Sequence, residues 1–416
     1  MTRALIVLLF CASTVQAQTG PGVVGEVRIH GNHTTPDEKV LSIIGDVVGK
    51  PATDALVTEM TQKLERSGQF DGVEVRKRFR SIDNPDDILL MVVVDEFPGV
   101  DPLDNYQPPS PVQRFWKSGM FLPILHSEDG YGFTYGARVS FVDRLGPRSR
   151  ISVPLTWGGE RQARVQLERT FRRGPIERLS GEAGVGRRVN PHYEMSDRRT
   201  SFNGRAESVL QRWLRVGAGG GIEDVTWGGD STDTIKRFGG DVTFDTRVDP
   251  AFPRNAVHAV LGVERLQFDT GSANRRTADL RGYVGLFRQT VLAVRALSVI
   301  SNAEVPPYEH SLLGGASNLR GYDAGFKAND NLAAVSAELR IPMTSPLSVG
   351  RFGVKVFVDA GTAYPFGQKL QDQKHFDRGV GAGAYLHLTV LSVALDVARS
   401  REGNTRFHFG LGVTFK

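Results

Sequence analysis

The sequence predicts a small α/β domain of order β-α-α-β-β in residues 22–97, followed by an antiparallel transmembrane β-barrel of about 16 strands in residues 119–416. An export leader at the start of the chain and a change of hydrophobic period near residue 119 predict this fold class. The single cysteine, Cys11, lies in that leader, so the exported chain is expected to hold neither a disulfide framework nor a thiolate metal site.

Residues 1–17 are predicted to be a secretory signal peptide. Arg3 precedes a short apolar run that begins at Ala4, and small residues lead to Ala17. This order is typical of a cleaved leader, and the apolar run is too short to span a bilayer as a helix. The mature chain is therefore expected to begin at Gln18.

Residues 22–97 change hydrophobic period in the order expected of a small α/β domain. The segment "VVGEVRIHGN" alternates apolar and polar residues as a strand does, and "GVEVRKRFR" and "DILLMVVVDEF" predict two more strands. Thr35 and Glu38 have the spacing of a helix capping box, with Pro36 at the first helical position, so a helix is predicted to begin there. A second helix is predicted from the apolar stripe formed by Leu56, Val57, Met60 and Leu64.

Residues 98–118 are predicted to be a linker, because "GVDPLDNYQPPSPVQ" is polar and rich in proline. After it the hydrophobic period becomes two residues, as in "RFHFGLGVTFK" at the end of the chain. The predicted last strand has its apolar residues at every second position, namely Phe407, Phe409, Leu411, Val413 and Phe415. Similar alternating runs precede it, separated by turn signals such as "LGPR" and "DPAFPRN".

The number of strand-like segments indicates which face of the strands lies inside. A closed barrel of about 16 strands has a lumen too wide for side chains to fill as an apolar core. Its polar face is therefore expected to line the lumen and its apolar face to meet lipid. A soluble pair of β-sandwiches with apolar residues inside is the alternative, since alternation alone does not distinguish the two.

An irregular, glycine-rich stretch, "LLGGASNLRGYDAGF" at residues 312–326, interrupts the strand pattern between the predicted eleventh and twelfth barrel strands. Its centre is Leu319, Arg320, Gly321 and Tyr322. A solvent-exposed extracellular loop would explain this composition most simply, because glycine and small polar residues are common in turns.

Motifs in both parts of the chain resemble a known family. The segments "VRIHGN", "LERSGQFDGVEV" and "VVVDEFP" resemble the polypeptide-transport-associated (POTRA) domain. The glycine-rich stretch, the strand "NLAAVSAELRIP", the segment "VFVDAGTAY" and the turn "DTRVDPAFPRN" together resemble the bacterial surface antigen family. This is the superfamily of outer-membrane assembly factors that join POTRA domains to a sixteen-stranded barrel. The resemblance runs from about residue 23 to the C-terminus.

In that family the loop with the Arg-Gly-aromatic core folds back into the lumen, and its arginine contacts the barrel wall. The resemblance therefore implies that Arg320 is a latch held by Asp359, with Glu338 as a further wall carboxylate. Asp359 shares the predicted lumen-facing positions of its strand with Lys355 and Phe357. A guanidinium inside a barrel needs a carboxylate, and its planar fork suits a two-point contact.

Two functions from different classes fit this architecture. The resemblance implies assembly of outer-membrane proteins or translocation of polypeptides: the POTRA domain, in the periplasm, receives client chains, and the barrel inserts or passes them through the seam between its first strand ("FLPILH") and its last. Expected partners are outer-membrane lipid, unfolded client polypeptides and other assembly or translocation subunits. The alternative is a passive solute pore whose POTRA domain serves only as a periplasmic anchor.

Neither an enzymatic nor a nucleic-acid-binding function is expected. The chain has no Gly-x-Ser-x-Gly elbow, no His-Glu-x-x-His pair and no phosphate-binding loop, so no catalytic residue, cofactor or metal site is predicted. The formal charge of +5 comes from basic residues scattered along an exported chain, so nucleic acid is not an expected partner.

Overall fold

The computed structural model describes residues 22–32, 35–80, 84, 86–96, 119–146, 148–171, 174–229, 231–250, 252–343, 351–388 and 391–413. The predicted signal peptide, the predicted linker and Phe415 lie outside these residues. The chain divides into two compact units, Met1–Gln107 and Pro108–Lys416.

The first unit has the predicted order β-α-α-β-β. Its elements are β1 (Val23–His30), α1 (Asp37–Ile44), α2 (Asp54–Arg66), β2 (Phe70–Phe79) and β3 (Asp87–Glu96). The sheet order is β1-β3-β2, with β1 parallel and β2 antiparallel to β3. The two helices cover one face of this sheet because their apolar residues and those of β3 form a single buried core.

The two helices begin in different ways. Thr53 caps α2, since its hydroxyl oxygen accepts a hydrogen bond from the Leu56 amide at 3.1 Å. The capping box predicted for α1 is wrong: α1 begins at Asp37, and Pro36 is its N-cap without a side-chain hydrogen bond. The Thr35 amide instead donates to the Glu96 carboxylate at 2.7 Å, so the end of β3 fixes the entry to this helix. Within the described residues, no helix is both long and apolar enough to cross a bilayer.

The second unit is a closed barrel in which neighbouring strands are antiparallel, as predicted. Its 16 strands are β4 (Gly119–Glu128), β5 (Gly132–Val142), β6 (Ser149–Gly158), β7 (Arg161–Thr170), β8 (Arg178–Val189), β9 (Ser196–Gln211), β10 (Leu214–Trp227), β11 (Ser231–Asp245), β12 (Ala256–Phe268), β13 (Gly271–Gly285), β14 (Val291–Ser301), β17 (Asn331–Met343), β18 (Arg351–Tyr364), β19 (Asp377–His387), β20 (Leu391–Ser400) and β21 (Thr405–Val413). Between β14 and β17 lie a 3-10 turn, η1 (Pro307–Glu309), and two short paired strands, β15 (Ser311–Leu313) and β16 (Lys327–Asn329). A further 3-10 turn, η2 (Leu370–Asp372), follows β18.

The apolar face of the barrel strands points outward. On β18, Val356 and Val358 are about half exposed, whereas the alternating Phe357 and Asp359 are buried on the lumen side. This arrangement confirms the prediction that the apolar face of the barrel points outward and contradicts the alternative of a soluble pair of β-sandwiches.

Candidate functional site

The glycine-rich stretch belongs to a loop, residues 302–330, that connects the eleventh barrel strand, β14, to the twelfth, β17. Leu319, Arg320 and Tyr322 are buried, and the side chain of Arg320 contacts residues on the lumen face of the wall. This part of the loop therefore lies inside the barrel and is not a solvent-exposed connection.

Arg320 makes a two-point contact with Asp359. Its Nε donates to Oδ2 at 2.7 Å and its Nη2 donates to Oδ1 at 2.8 Å. The backbone amide of Arg320 donates to the same Asp359 Oδ2 at 3.0 Å. One carboxylate thus fixes both the side chain and the main chain of the loop, which a lysine at this position could not reproduce because it lacks the planar fork.

Two further carboxylates surround the guanidinium. Nη1 of Arg320 donates to Glu338 at 2.6 Å and lies 3.4 Å from an oxygen of Asp396, while its Cζ lies 3.3 Å from the centre of the Phe357 ring. Lys355 pairs with Asp396 at 2.9 Å, and Arg340 pairs with Glu338 at 2.7 Å. We call Arg320, Asp359, Glu338 and Asp396 the wall site. Burying these charges is tolerable because each of them has an opposite charge and a hydrogen bond.

The other residues of the motif place the arginine. Leu319 is fully buried against Leu313 and Leu332. The hydroxyl of Tyr322 donates to the Arg378 carbonyl oxygen on β19 at 3.3 Å. Gly321 has φ +97°, a conformation that residues with a side chain rarely adopt, so the tight turn after Arg320 requires glycine.

The Omp85 superfamily domain matches residues 133–415, and the surface antigen variable number repeat, a POTRA domain, matches residues 22–96. The chain belongs to the Omp85 superfamily. The resemblance found in its motifs is therefore confirmed, and membership supports an outer-membrane β-barrel that acts in outer-membrane protein assembly or secretion. No curated protein sequence matches the chain significantly.

Solved structures show the same fold at low sequence identity. The crystal structure of BamA from Haemophilus ducreyi lacking POTRA domains 1-3 matches with a TM-score of 0.62 and 16% identity, over 94% of this chain and 84% of that chain. CdiB from Escherichia coli matches with a TM-score of 0.54 and 12% identity, over 95% and 77%. CdiB from Acinetobacter baumannii gives the same TM-score and identity, over 95% and 74%. At these identities the likeness concerns the fold alone.

The predicted seam strand of this Omp85 barrel is β21. Phe407 and Phe409 point outward and are 73% and 45% exposed, and Leu411 is partly buried. The side chains of Val413 and Phe415 are outside the described part of the chain. Within that part, the backbones of β21 and β4 pair only at Leu411 with Ser127 and at Gly412 with His126. By contrast, β4 and β5 pair along the whole of Gly119–Glu128.

Sequence reasoning missed a second group of loop contacts, in the η1 turn. The buried carboxylate of Glu309 accepts hydrogen bonds from Arg199 at 2.9 Å, Arg275 at 3.0 Å and Arg237 at 3.3 Å. These arginines lie on β9, β13 and β11. We call Glu309 and these three arginines the second anchor. No local motif announces it, because an acid in a loop and single arginines on separate strands are ordinary surface residues in a sequence.

The ionisation of Glu309, which lies outside the spanning strands, follows from this group. Burial alone raises its pKa, but Arg237, Arg199 and Arg275 together lower it from the ordinary 4.5 to about 2. The loop is therefore held by a buried cation at the wall site and by a buried anion at the second anchor.

Gly379 on β19 gives a test of loop seating that leaves the charges intact. A Cβ at Gly379 would lie 1.8 Å from the Arg320 carbonyl oxygen. We expect Gly379→Ala to displace the loop while the barrel still folds, because overpacking costs about 1–3 kcal/mol and a strand accepts alanine. Limited trypsin digestion at Arg320 and Lys327 should become roughly 10-fold faster or more.

The matched control is Gly204→Ala on β9, where an added Cβ meets nothing within 4 Å. Equal protease resistance of the Gly379→Ala loop and the wild-type loop would contradict the assignment of close packing at this point.

Among the described residues, no group of three or more His, Cys, Asp or Glu side chains is arranged to hold a metal ion. The wall site and the second anchor combine arginines with carboxylates, so the chemistry that they support is binding and positioning of the loop.

Proposed function

We propose that this protein inserts outer-membrane proteins or passes polypeptides across the outer membrane, with its POTRA domain in the periplasm receiving the client chains. The observation that carries the proposal is the short seam of the barrel. Within the described residues, β4 pairs with β5 along Gly119–Glu128 but with β21 only at His126 and Ser127. An unpaired strand edge is a template for a strand from another chain. A client strand can therefore add to the barrel at this edge.

The composition of β21 supports opening at the same place. Gly410 and Gly412 alternate with the outward-facing residues of this strand. Glycine contributes no side-chain packing to a sheet, so a glycine-containing edge strand separates from its neighbour at lower cost than one rich in β-branched residues.

The position of the loop favours this function over a passive solute pore. The carboxylates of the wall site lie on β17, β18 and β20, and the arginines of the second anchor lie on β9, β11 and β13. The loop is thus fixed to two arcs of the ring and occupies part of the lumen between them. A freely conducting pore requires an open lumen.

We expect single-channel recordings of the purified protein to show low conductance that rises when the loop is detached.

In the POTRA domain, the edge strand β2 is the best surface for a client. The sheet order β1-β3-β2 leaves β1 and β2 at the two edges. Backbone hydrogen bonds cover part of the β1 edge, since the Val24 amide donates to the Lys50 carbonyl oxygen at 2.9 Å and the Gly49 amide donates to the Val24 carbonyl oxygen at 2.8 Å. An extended client segment is therefore expected to add alongside Val73–Lys77 of β2.

Deleting residues 22–97 is expected to abolish client handling and to leave an insertable barrel. The barrel closes through its own backbone pairs, and the POTRA core is formed by residues of the first unit alone. Client assembly in reconstituted vesicles should fall to background. Heat-modifiable gel migration serves as the folding control. If only solute flux is lost and client assembly stays normal, the result would instead support the pore. Client assembly at the full rate without residues 22–97 would refute the proposed POTRA role.

A further inference from the structure

The seam is crossed by side chains at a point where its backbones do not pair. Three residues before the paired Leu411, β21 carries His408, which is 3% exposed on the lumen side. Two residues after the paired Ser127, the turn that follows β4 carries Asp129. Nδ1 of His408 lies 2.6 Å from Oδ2 of Asp129. A histidine–carboxylate hydrogen bond therefore joins the last strand to the turn that follows the first strand.

The loop supplies the other half of this arrangement. The backbone amide of Gly321 donates to Nε2 of His408 at 2.9 Å. An imidazole that accepts a hydrogen bond at Nε2 carries its proton on Nδ1, so Nδ1–H donates to the Asp129 carboxylate. The amide of Ala316 donates to the same Asp129 oxygen at 3.1 Å. The loop thus contacts the last strand through Gly321 and the first hairpin through Ala316.

Packing beside the hydrogen bonds keeps the loop close to the first hairpin. A Cβ built on Gly130 would lie 2.5 Å from the Cβ of Ala324, so this turn accepts only glycine while the loop is seated. Gly130 also has φ +84°. The anchoring of Arg320 at the wall site, one residue before Gly321, determines where the Gly321 amide points.

We propose that Asp129, His408 and Gly321 form a clasp through which loop 302–330 holds the seam closed, and that withdrawal of the loop releases the seam. This inference rests on the proposed function in that it assigns the loop a role in opening the barrel for clients. His408 and Asp129 act as positioning residues, since they contact the loop and each other rather than a client.

The test measures seam opening without any client, so it is independent of the assembly assay. Backbone hydrogen exchange is followed by mass spectrometry in peptides of the purified full chain that cover residues 121–131 and 405–413. His408→Ala is expected to accelerate exchange in these peptides by roughly 10-fold or more, because it removes a hydrogen bond to a charged group and one to a backbone amide. His408→Gln should restore slow exchange, since its amide both accepts from Gly321 and donates to Asp129.

Matched variants separate the clasp from a general loss of structure. His258→Ala removes a partly buried histidine on β12, across the ring from the seam, and should leave the seam peptides unchanged. Asp129→Ala removes the other member of the hydrogen bond and should accelerate exchange in the same peptides. It replaces His408→Ala as the test if His408→Ala fails to fold. Arg320→Ala should accelerate the same peptides, because the loop then no longer presents the Gly321 amide.

A disulfide between Ser127→Cys and Leu411→Cys, which are partners across the seam, should abolish the acceleration in the His408→Ala background. The only natural cysteine is Cys11 in the predicted leader, so the engineered pair reacts alone in the mature chain. Wild-type exchange at the seam in both His408→Ala and Asp129→Ala would overturn the clasp. Equal acceleration in peptides all around the barrel would overturn it as well.

Discussion

Replacing Arg320 by alanine is expected to detach this part of loop 302–330 from the barrel wall and to impair client handling, while the barrel stays folded. Three buried carboxylates, Asp359, Glu338 and Asp396, lose a common partner, and removing one member of a buried ion pair costs about 3–5 kcal/mol. The fold of the barrel depends on backbone pairing around the ring and not on this side chain. Trypsin digestion at Lys327 measures the loop, and heat-modifiable gel migration measures the barrel.

The severity of the defect in variants of the partner carboxylates should follow the number of contacts that each variant removes. Asp359→Ala loses the two-point contact and the hydrogen bond to the Arg320 amide, yet leaves the guanidinium bonded to Glu338. We therefore expect Asp359→Ala to be nearly as harmful as Arg320→Ala, Glu338→Gln to be milder, and the double variant Arg320→Ala with Asp359→Ala to be little worse than Arg320→Ala.

A matched control is the exposed ion pair between Asp323 of the same loop and Arg406 of β21. Arg406 pairs with Asp323 at 2.8 Å, but both side chains are exposed, so Arg406→Ala should cost about 0–1 kcal/mol. Additive losses from Arg320→Ala and Asp359→Ala would show that the two residues do not act as one unit. Unchanged client handling in Arg320→Ala would show that seating of the loop does not matter for function.

Replacing Glu309 by glutamine is expected to have the second largest effect, because the three arginines of the second anchor then lose the carboxylate that they share. They keep only carboxylates of the barrel wall, namely Asp197, Glu223 and Glu264. Glutamine retains the size of the side chain and one acceptor oxygen, so the loss reports the charge. Losing one member of a buried ion-pair group costs about 3–5 kcal/mol at most, because the wall carboxylates still pair with the arginines. The change should free the half of the loop that contains the η1 turn, since Glu309 is the loop's own contact to these arginines. Hydrogen exchange of peptides covering residues 302–313 measures it.

Glu304 is the control for this variant, since it is an exposed acid five residues earlier in the same loop. Glu304→Gln should leave exchange unchanged.

The pKa of Glu309 also predicts a pH dependence: because it falls from 4.5 to about 2 in the folded protein, the anchor is fully present above about pH 4.5 and is lost as the pH falls toward 2. This acid-induced loosening should be absent from Glu309→Gln, and equal acid sensitivity in both proteins would assign the effect to other groups.

The sequence predicted the features that are carried by short-range patterns. Alternation placed Phe357 and Asp359 on the lumen face of one strand, and the helical stripe placed Val57, Met60 and Leu64 in the POTRA core. The prediction that Arg320 lies beside Asp359 and Glu338 came from the family resemblance, which implies that the loop folds into the lumen. Hydrophobic periodicity alone does not predict this. In the structure these three side chains form ion pairs.

The features that the sequence did not predict depend on contacts between distant residues. Glu309 meets Arg199 110 positions away, and His408 meets Asp129 only because the ring closes. The capping box predicted at Thr35 and Glu38 is wrong for a similar reason, since the Thr35 amide donates to the distant Glu96. Local propensity identified the strands and helices, whereas strand order around the ring determined which charged side chains meet.

The hydrogen bond between His408 and Asp129 also has a consequence for the order of folding. It joins residues 279 positions apart, so every intervening strand must be in place before it forms. The loop emerges from the ribosome before β17, β18, β20 and β21, which carry the partners of Arg320 and Gly321. Contacts of such high contact order form late and slowly. The clasp therefore forms only when the ring closes, whereas Arg320 can meet Glu338 and Asp359, 18 and 39 positions away, earlier. A formed clasp marks a barrel whose ring is already complete.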